Sequence, residues 1–208
     1  MNFSDVKAWK VNGLDVKKVE RGGVVLWEKK TGPSNQLIPN GNFADTSFWA
    51  FRRVEFVDVT NNVATLRCIE AQNNTNNISN RLCAPINLTN GHKYYVCADM
   101  KLPKGTRTTL YIAQNDAGKI ASIIDIAVGA WKRYDAILTS NLNITGNGYR
   151  DGIWYGLKGD APSVVGDIYY VKNCMCVDLT AMYGAGNEPT KEQFRSEYTE
   201  DYYPYKPL

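Results

Sequence analysis

Between Val54 and Val177 the chain is a succession of nine short apolar-rich runs, at residues 54–59, 63–70, 80–88, 92–102, 108–114, 119–128, 131–138, 151–158 and 167–177. None repeats its apolar residues at the helical period over a helix-like length. The segments "TNN", "TNGH", "LPKG", "NDAGK", "TGNGYRDG" and "KGDAPS" separate them. Asn, Asp, Gly and Pro reverse a chain cheaply, so this alternation of runs and turn-formers predicts strands at near-regular spacing. A sheet with one apolar face must bury it against another layer. The expected architecture is therefore all-β, a sandwich. Within 92–102, Tyr95, Cys97 and Asp99 alternate with Tyr94, Val96, Ala98 and Met100. One set is expected to be buried and the other wetted.

Composition narrows the function. The charged fraction is 22% and the hydrophobic fraction 44%, enough apolar matter for a core and against disorder. No apolar run approaches the roughly 20 residues that cross a bilayer, so membrane insertion is not expected. "MNFSDVKAWKVNG" carries charge where a secretory signal needs its apolar centre. The net charge of +3 sits in residues 1–30, with seven Lys or Arg against four Asp or Glu, and no dense basic stripe speaks for nucleic acid. The five cysteines, Cys68, Cys83, Cys97, Cys174 and Cys176, all fall in expected strands. Cys174 and Cys176, two apart, share a face, and the only histidine, His92, belongs to a turn. Zinc would lack ligands there, so the thiols read as small buried residues of a reducing compartment.

The first thirty residues form a separate unit. Asn12-Gly13 and Gly22-Gly23 divide "VKAWKVNGLDVKKVERGGVVLWEKK" into three runs, and Asn-Gly suits a tight type I′ turn. Trp9 and Val11 share a face, as do Val25 and Trp27, which predicts a three-stranded meander over 6–29. So small a sheet needs a surface from elsewhere to keep its indoles dry. "TGPSN" at 31–35 is a turn-rich linker, which favours a partner chain and makes residues 1–30 an anchor or oligomerisation element.

Further on, "NQLIPNGNFADTSFW" resembles the opening of carbohydrate-binding jelly-roll modules of the galactose-binding-like group, at Asn40, Gly41, Phe43 and Trp49. "LTNGHKYYVCADMKL", "WKRYDAIL" and "GDIYYVKNCMCVDLT" are similar to later strands of that group, so the resemblance covers about residues 36–178. It implies a jelly-roll sandwich, framework positions for Trp49 and Trp131, and a structural calcium ion held by Asn40, Asn42 and Asp178. Sugar sites use exposed aromatic faces with amide or carboxylate partners. Asn147, Tyr149, Asp151, Trp154 and Tyr155, in and beside "TGNGYRDGIWYG", are the expected glycan-binding residues.

Residues 179–208 read as a short C-terminal helix and a Tyr/Pro-rich tail packed on the sandwich. In "EPTKEQF", Thr190 caps a helix and Gln193 takes the capping-box position, with Phe194 and Tyr198 following on one face. "DLTAMYGAGNEPTKEQF" with "DYYPY" resembles a segment of phage and prophage tail or minor virion structural proteins. "VNGLDVKKVERGGVVLWEK" is similar to the meander that opens such proteins. What this implies is a bacteriophage virion component: a tail fibre, baseplate accessory or capsid decoration. It would be oligomeric on the virion surface after assembly in the host cytoplasm, and its partners would be other virion proteins and host-surface glycans. The other reading is a free or enzyme-appended carbohydrate-binding module. No enzyme is expected. A nucleophilic triad would have to use His92, and nothing in the spacing of Asp99, Asp125, Asp135 and Asp151 selects a carboxylate pair.

Overall fold

The computed structural model describes residues 36–70, 80–114, 118–157 and 164–199. It describes the backbone alone for four short strands between residues 9 and 28, and for residues 107, 109, 114, 118–126 and 157. The linker at 31–35, the tail from residue 200 onward and the side chains of Trp9, Val11, Val25 and Trp27 lie outside the described residues.

The four strands are β1 (Trp9–Val11), β2 (Leu14–Val16), β3 (Lys18–Arg21) and β4 (Val24–Glu28). They form two two-stranded sheets, β1-β2 and β3-β4, rather than the expected three-stranded one. The middle run is shared between two neighbours: Leu14–Val16 pairs backwards with β1, and Lys18–Arg21 pairs forwards with β4.

All nine expected runs beyond residue 50 become strands. They are β6 (Val54–Thr60), β7 (Val63–Cys68), β8 (Arg81–Ala84), β9 (Lys93–Lys101), β10 (Arg107–Gln114), β11 (Gly118–Ile126), β12 (Trp131–Thr139), β13 (Gly152–Leu157) and β14 (Ile168–Asp178). A short β5 (Ala50–Arg52) was not anticipated. Two antiparallel five-stranded sheets result, in the orders β11-β10-β13-β8-β5 and β12-β9-β14-β7-β6. Chain neighbours repeatedly switch sheets, giving a jelly-roll β-sandwich. The β6-β7 hairpin turns on Asn61 and Asn62, whose φ values of 52° and 63° are those of a type I′ turn.

The core lies between the sheets. Val96, Ala98 and Met100 of β9 meet Leu82, Ile112, Ile153 and Tyr155 of the facing sheet there, and Trp49 donates its Nε1–H to the Asn40 carbonyl at 3.0 Å. Tyr155 donates its hydroxyl across the sandwich to the Met175 carbonyl at 3.2 Å. In β14 a bulge at Asn173 (φ 55°) resets which residues face inward, from Tyr169 and Val171 before it to Cys174 and Cys176 after it. All five cysteines are buried, and none forms a disulfide. Burial pushes the Cys83 and Cys97 thiols up to about 12, and Cys174 and Cys176 well above the usual thiol range. These four thiols stay protonated at neutral pH, and a protonated thiol is a poor nucleophile.

The alternation expected in β9 is overridden on its outer face. Tyr95 and Cys97 are buried, not wetted, because a second apolar layer covers them. That layer is α1 (Leu179–Tyr183) and α2 (Lys191–Glu197). The capping box forms in full: Gln193 N–H donates to Thr190 Oγ1 at 3.2 Å, and Thr190 N–H donates to Gln193 Oε1 at 2.8 Å. Phe194 then stacks at 4.6 Å on Tyr95 and at 4.9 Å on Tyr198. Asp135, on the neighbouring strand, anchors the helix by accepting from Tyr95 Oη at 3.1 Å and by facing Lys191 and Arg195 at 3.5 Å each. Glu188 ties down the approach to α2, accepting from Thr180 Oγ1 at 2.7 Å and Lys93 Nζ at 3.2 Å. The Thr180 hydroxyl, with other donors around it, holds the Glu188 carboxyl at about 2.

Candidate functional site

The outer face of the second sheet is only partly covered by α2. Beyond the Asp135 row the register lines up Trp131 of β12, Lys101 of β9 and Tyr170 of β14 side by side. Trp131 is 43% exposed, and its ring centre is 6.3 Å from that of the half-buried Tyr170. Lys172 Nζ stands 4.8 Å from the centre of the Trp131 ring and Lys101 Nζ 5.6 Å from that of Tyr170. The next row is a fixed polar floor. Arg133 grips Asp99 with two bonds, Nε at 2.8 Å and a terminal nitrogen at 3.0 Å, and Asn173 donates to the same carboxylate at 2.7 Å. The Asp99 contact raises the Arg133 pKa even though burial opposes it.

The family resemblance implies a framework position for Trp131, whereas the structure places it on the outer face of the sheet. The signal was there: in "WKRYDAIL" strand alternation puts Trp131 on the face of Arg133 and Asp135, opposite Tyr134 and Leu138. Polar company on a strand face marks it as wetted.

The residues expected to bind glycan divide three ways. Asn147, Tyr149 and Asp151 come together in one tight turn, closed by a bridge between Asn147 and Asp151. Tyr149 is exposed there, with the Arg52 guanidinium 5.3 Å from its ring centre and that of Arg150 at 5.7 Å. Trp154 is only 4% exposed, packed with Cys83, Tyr111 and Ala113 beneath the buried Arg81, whose guanidinium lies 3.2 Å from the ring centre. Tyr155 is fully buried in the core. These last two are corrections. Adjacent strand residues face opposite sides of the sheet, so Trp154 and Tyr155 could not both reach one surface, and here neither is open to a ligand.

The oxygens offered to calcium have other work. Asp178 caps α1, accepting from Ala181 N–H at 2.9 Å, and lies 2.8 Å from His92 Nδ1. His92 is thereby held rather than free in its turn. Asn42 Oδ1 accepts from Ala44 N–H at 3.3 Å, and the Asn40 carbonyl accepts from Phe43 N–H and Trp49 Nε1–H. Each of these oxygens accepts from an N–H donor close to it in the chain. Among the described residues, no three His, Cys, Asp or Glu group to hold a metal ion.

Fold and face together define a jelly-roll β-sandwich that presents an aromatic platform on one sheet. No protein-family profile matches the chain, and no curated protein matches it significantly. Among solved structures, the chain is similar to arabinose-bound MgGH51 α-L-arabinofuranosidase, with a TM-score of 0.53 and 9% identity, over 72% of this chain and 27% of that one. It is also similar to the N-terminal cellulose-binding domain of Cellulomonas fimi β-1,4-glucanase C, with a TM-score of 0.47 and 6% identity, over 62% of this chain and 88% of that one. TmCBM61 in complex with β-1,4-galactotriose gives a TM-score of 0.44 and 14% identity, over 67% of this chain and 94% of that one. The chain thus spans little more than a quarter of the arabinofuranosidase. At these identities the first similarity speaks for fold alone, and the two with scores below 0.5 add nothing to it.

Proposed function

We propose that the chain is a non-catalytic carbohydrate-binding jelly-roll whose binding face is the outer surface of the second sheet around Trp131 and Tyr170. One observation carries this reading: an indole left 43% exposed beside a tyrosine whose ring is inclined 48° to it, on a strand face with a hydrogen-bonded polar row alongside. A large aromatic gains by leaving water, so one held open on a sheet suits a flat ligand that covers it. The apolar face of a sugar ring has that shape, and Asn173, Arg133 and the lysines supply polar partners at its rim. Two carboxylates of this sheet face are engaged within the fold. Asp99 is clamped by Arg133, and Asp135 is closed under α2.

Trp131→Ala is expected to lower affinity for any glycan bound on an array about tenfold or more, ~1.4 kcal/mol, with the near-UV spectrum of the core preserved. Undiminished binding by that variant would move the site elsewhere, with the Tyr149 turn the next place to look.

A virion setting for this module is a second proposal. It is supported by the resemblance at both ends and by the strands between residues 9 and 28, which pair with one another and with neither sandwich sheet. Removing residues 1–30 should leave a folded sandwich that is no longer incorporated into phage particles; normal incorporation would end that reading.

A further inference from the structure

We propose that the platform selects acidic sugars, specifically uronate-bearing polysaccharides; this rests on the reading of Trp131 and Tyr170 as the glycan face. Each ring has a lysine ammonium poised beside it, Lys172 at Trp131 and Lys101 at Tyr170. Among the described residues neither ammonium has a carboxylate within ion-pair distance. The acid that shares their face, Asp99, has its charge answered by Arg133, and its remaining capacity is taken by Asn173. Farther across the sheet Glu55 is paired with Arg67 at 2.6 Å. Asp58 lies in the same row as Tyr170 but two strands away, roughly 10 Å by strand spacing and about one Debye length at ordinary salt. Among the described residues, the face therefore carries two positive charges without an ion-pair partner at its aromatic centre.

A sugar stacking on the indole would displace the lysine heads sideways to the edge of the ring. There a lysine on its flexible four-carbon stem acts as a movable point charge. The C5 carboxylate of a hexuronate projects from that edge, so one ligand satisfies both the apolar face and the ammonium. A neutral hexose would satisfy the ring and leave both charges as they are. Selection of this kind comes from charge complementarity laid over a shared stacking energy.

The test uses the full chain against polygalacturonate, alginate and a glucuronate-bearing xylan, each beside its carboxyl-reduced form, with dextran sulfate as a further polyanion. Expected is tighter binding of the acidic members, with the preference reduced by added salt. The double variant Lys101→Gln/Lys172→Gln should lose about five- to tenfold on the acidic form and nothing on the reduced form. Trp131→Ala should weaken both. Equal binding of acidic and reduced forms, with Trp131→Ala still damaging, would overturn the charge selection and leave the glycan face standing. Acid binding that survives Trp131→Ala would show capture by bulk charge and overturn the inference. Binding of dextran sulfate but of no uronate would overturn it as well. No binding to any glycan would remove both this inference and the reading beneath it.

Discussion

Replacing Phe194 with Ala is expected to cost about 3–5 kcal/mol, the range for removing a buried phenylalanine from a packed site. The ring is 2% exposed and stacks on Tyr95 and Tyr198, so its loss opens a cavity against the sheet rather than at the surface. Relaxation is restricted. The other side of the gap is β9, paired along its length with β12 and β14, and α2 is held at Asp135 by Lys191 and Arg195. If the helix undocks as a unit, the loss is capped at the free energy of its docking. Urea unfolding gives the size of the effect, and a thiol reagent separates the two cases. Undocking would expose Cys97, which is fully buried in the intact protein, while the core cysteines stay protected. A loss below about 1 kcal/mol with no gain in thiol reactivity would show that the terminal helix adds nothing to the outer layer.

Gly152→Ala is the second large effect, expected at roughly 2–4 kcal/mol. Gly152 has φ 134°, a conformation that residues with a side chain rarely adopt. A methyl group there would also collide with the carbonyl oxygen of Ala84, on the strand paired beside it. Backbone cannot yield as a side-chain tip can, so β13 and β8 would have to separate at the point where the Asn147–Asp151 turn enters the sheet. The expected result is a lower thermal midpoint and loss of the Trp154 near-UV signal, because that ring packs two residues along. A variant with the midpoint of the parent would mean that the approach of the two strands is looser than the structure has it.

Much of the sandwich could be read from local patterns. Strand positions follow from alternation and turn chemistry, which act within a few residues, and all nine runs paired as strands. The capping box at Thr190 and Gln193, and the Phe194–Tyr198 pair, are equally local and formed as the spacing required. The candidate site was harder because it depends on which strand face is left open. Trp131 and Trp154 each stand on a strand, the first sharing its face with Arg133 and Asp135 and the second set among Gly152, Ile153, Tyr155 and Gly156. One keeps its ring in water, and the other is sealed beneath Arg81.

Alternation along the chain decided that the protein would be a two-layer β structure and which side chains share a face, because that information resides in a two-residue repeat. It did not decide which faces would be covered. Tyr95 and Cys97 are dry because a helix nearly a hundred residues later lies on them, and Trp131 is wet because that helix ends short of it. Burial is a property of what arrives from elsewhere in the chain, and only the assembled sandwich, with its helix set down over one end of one sheet, specifies it.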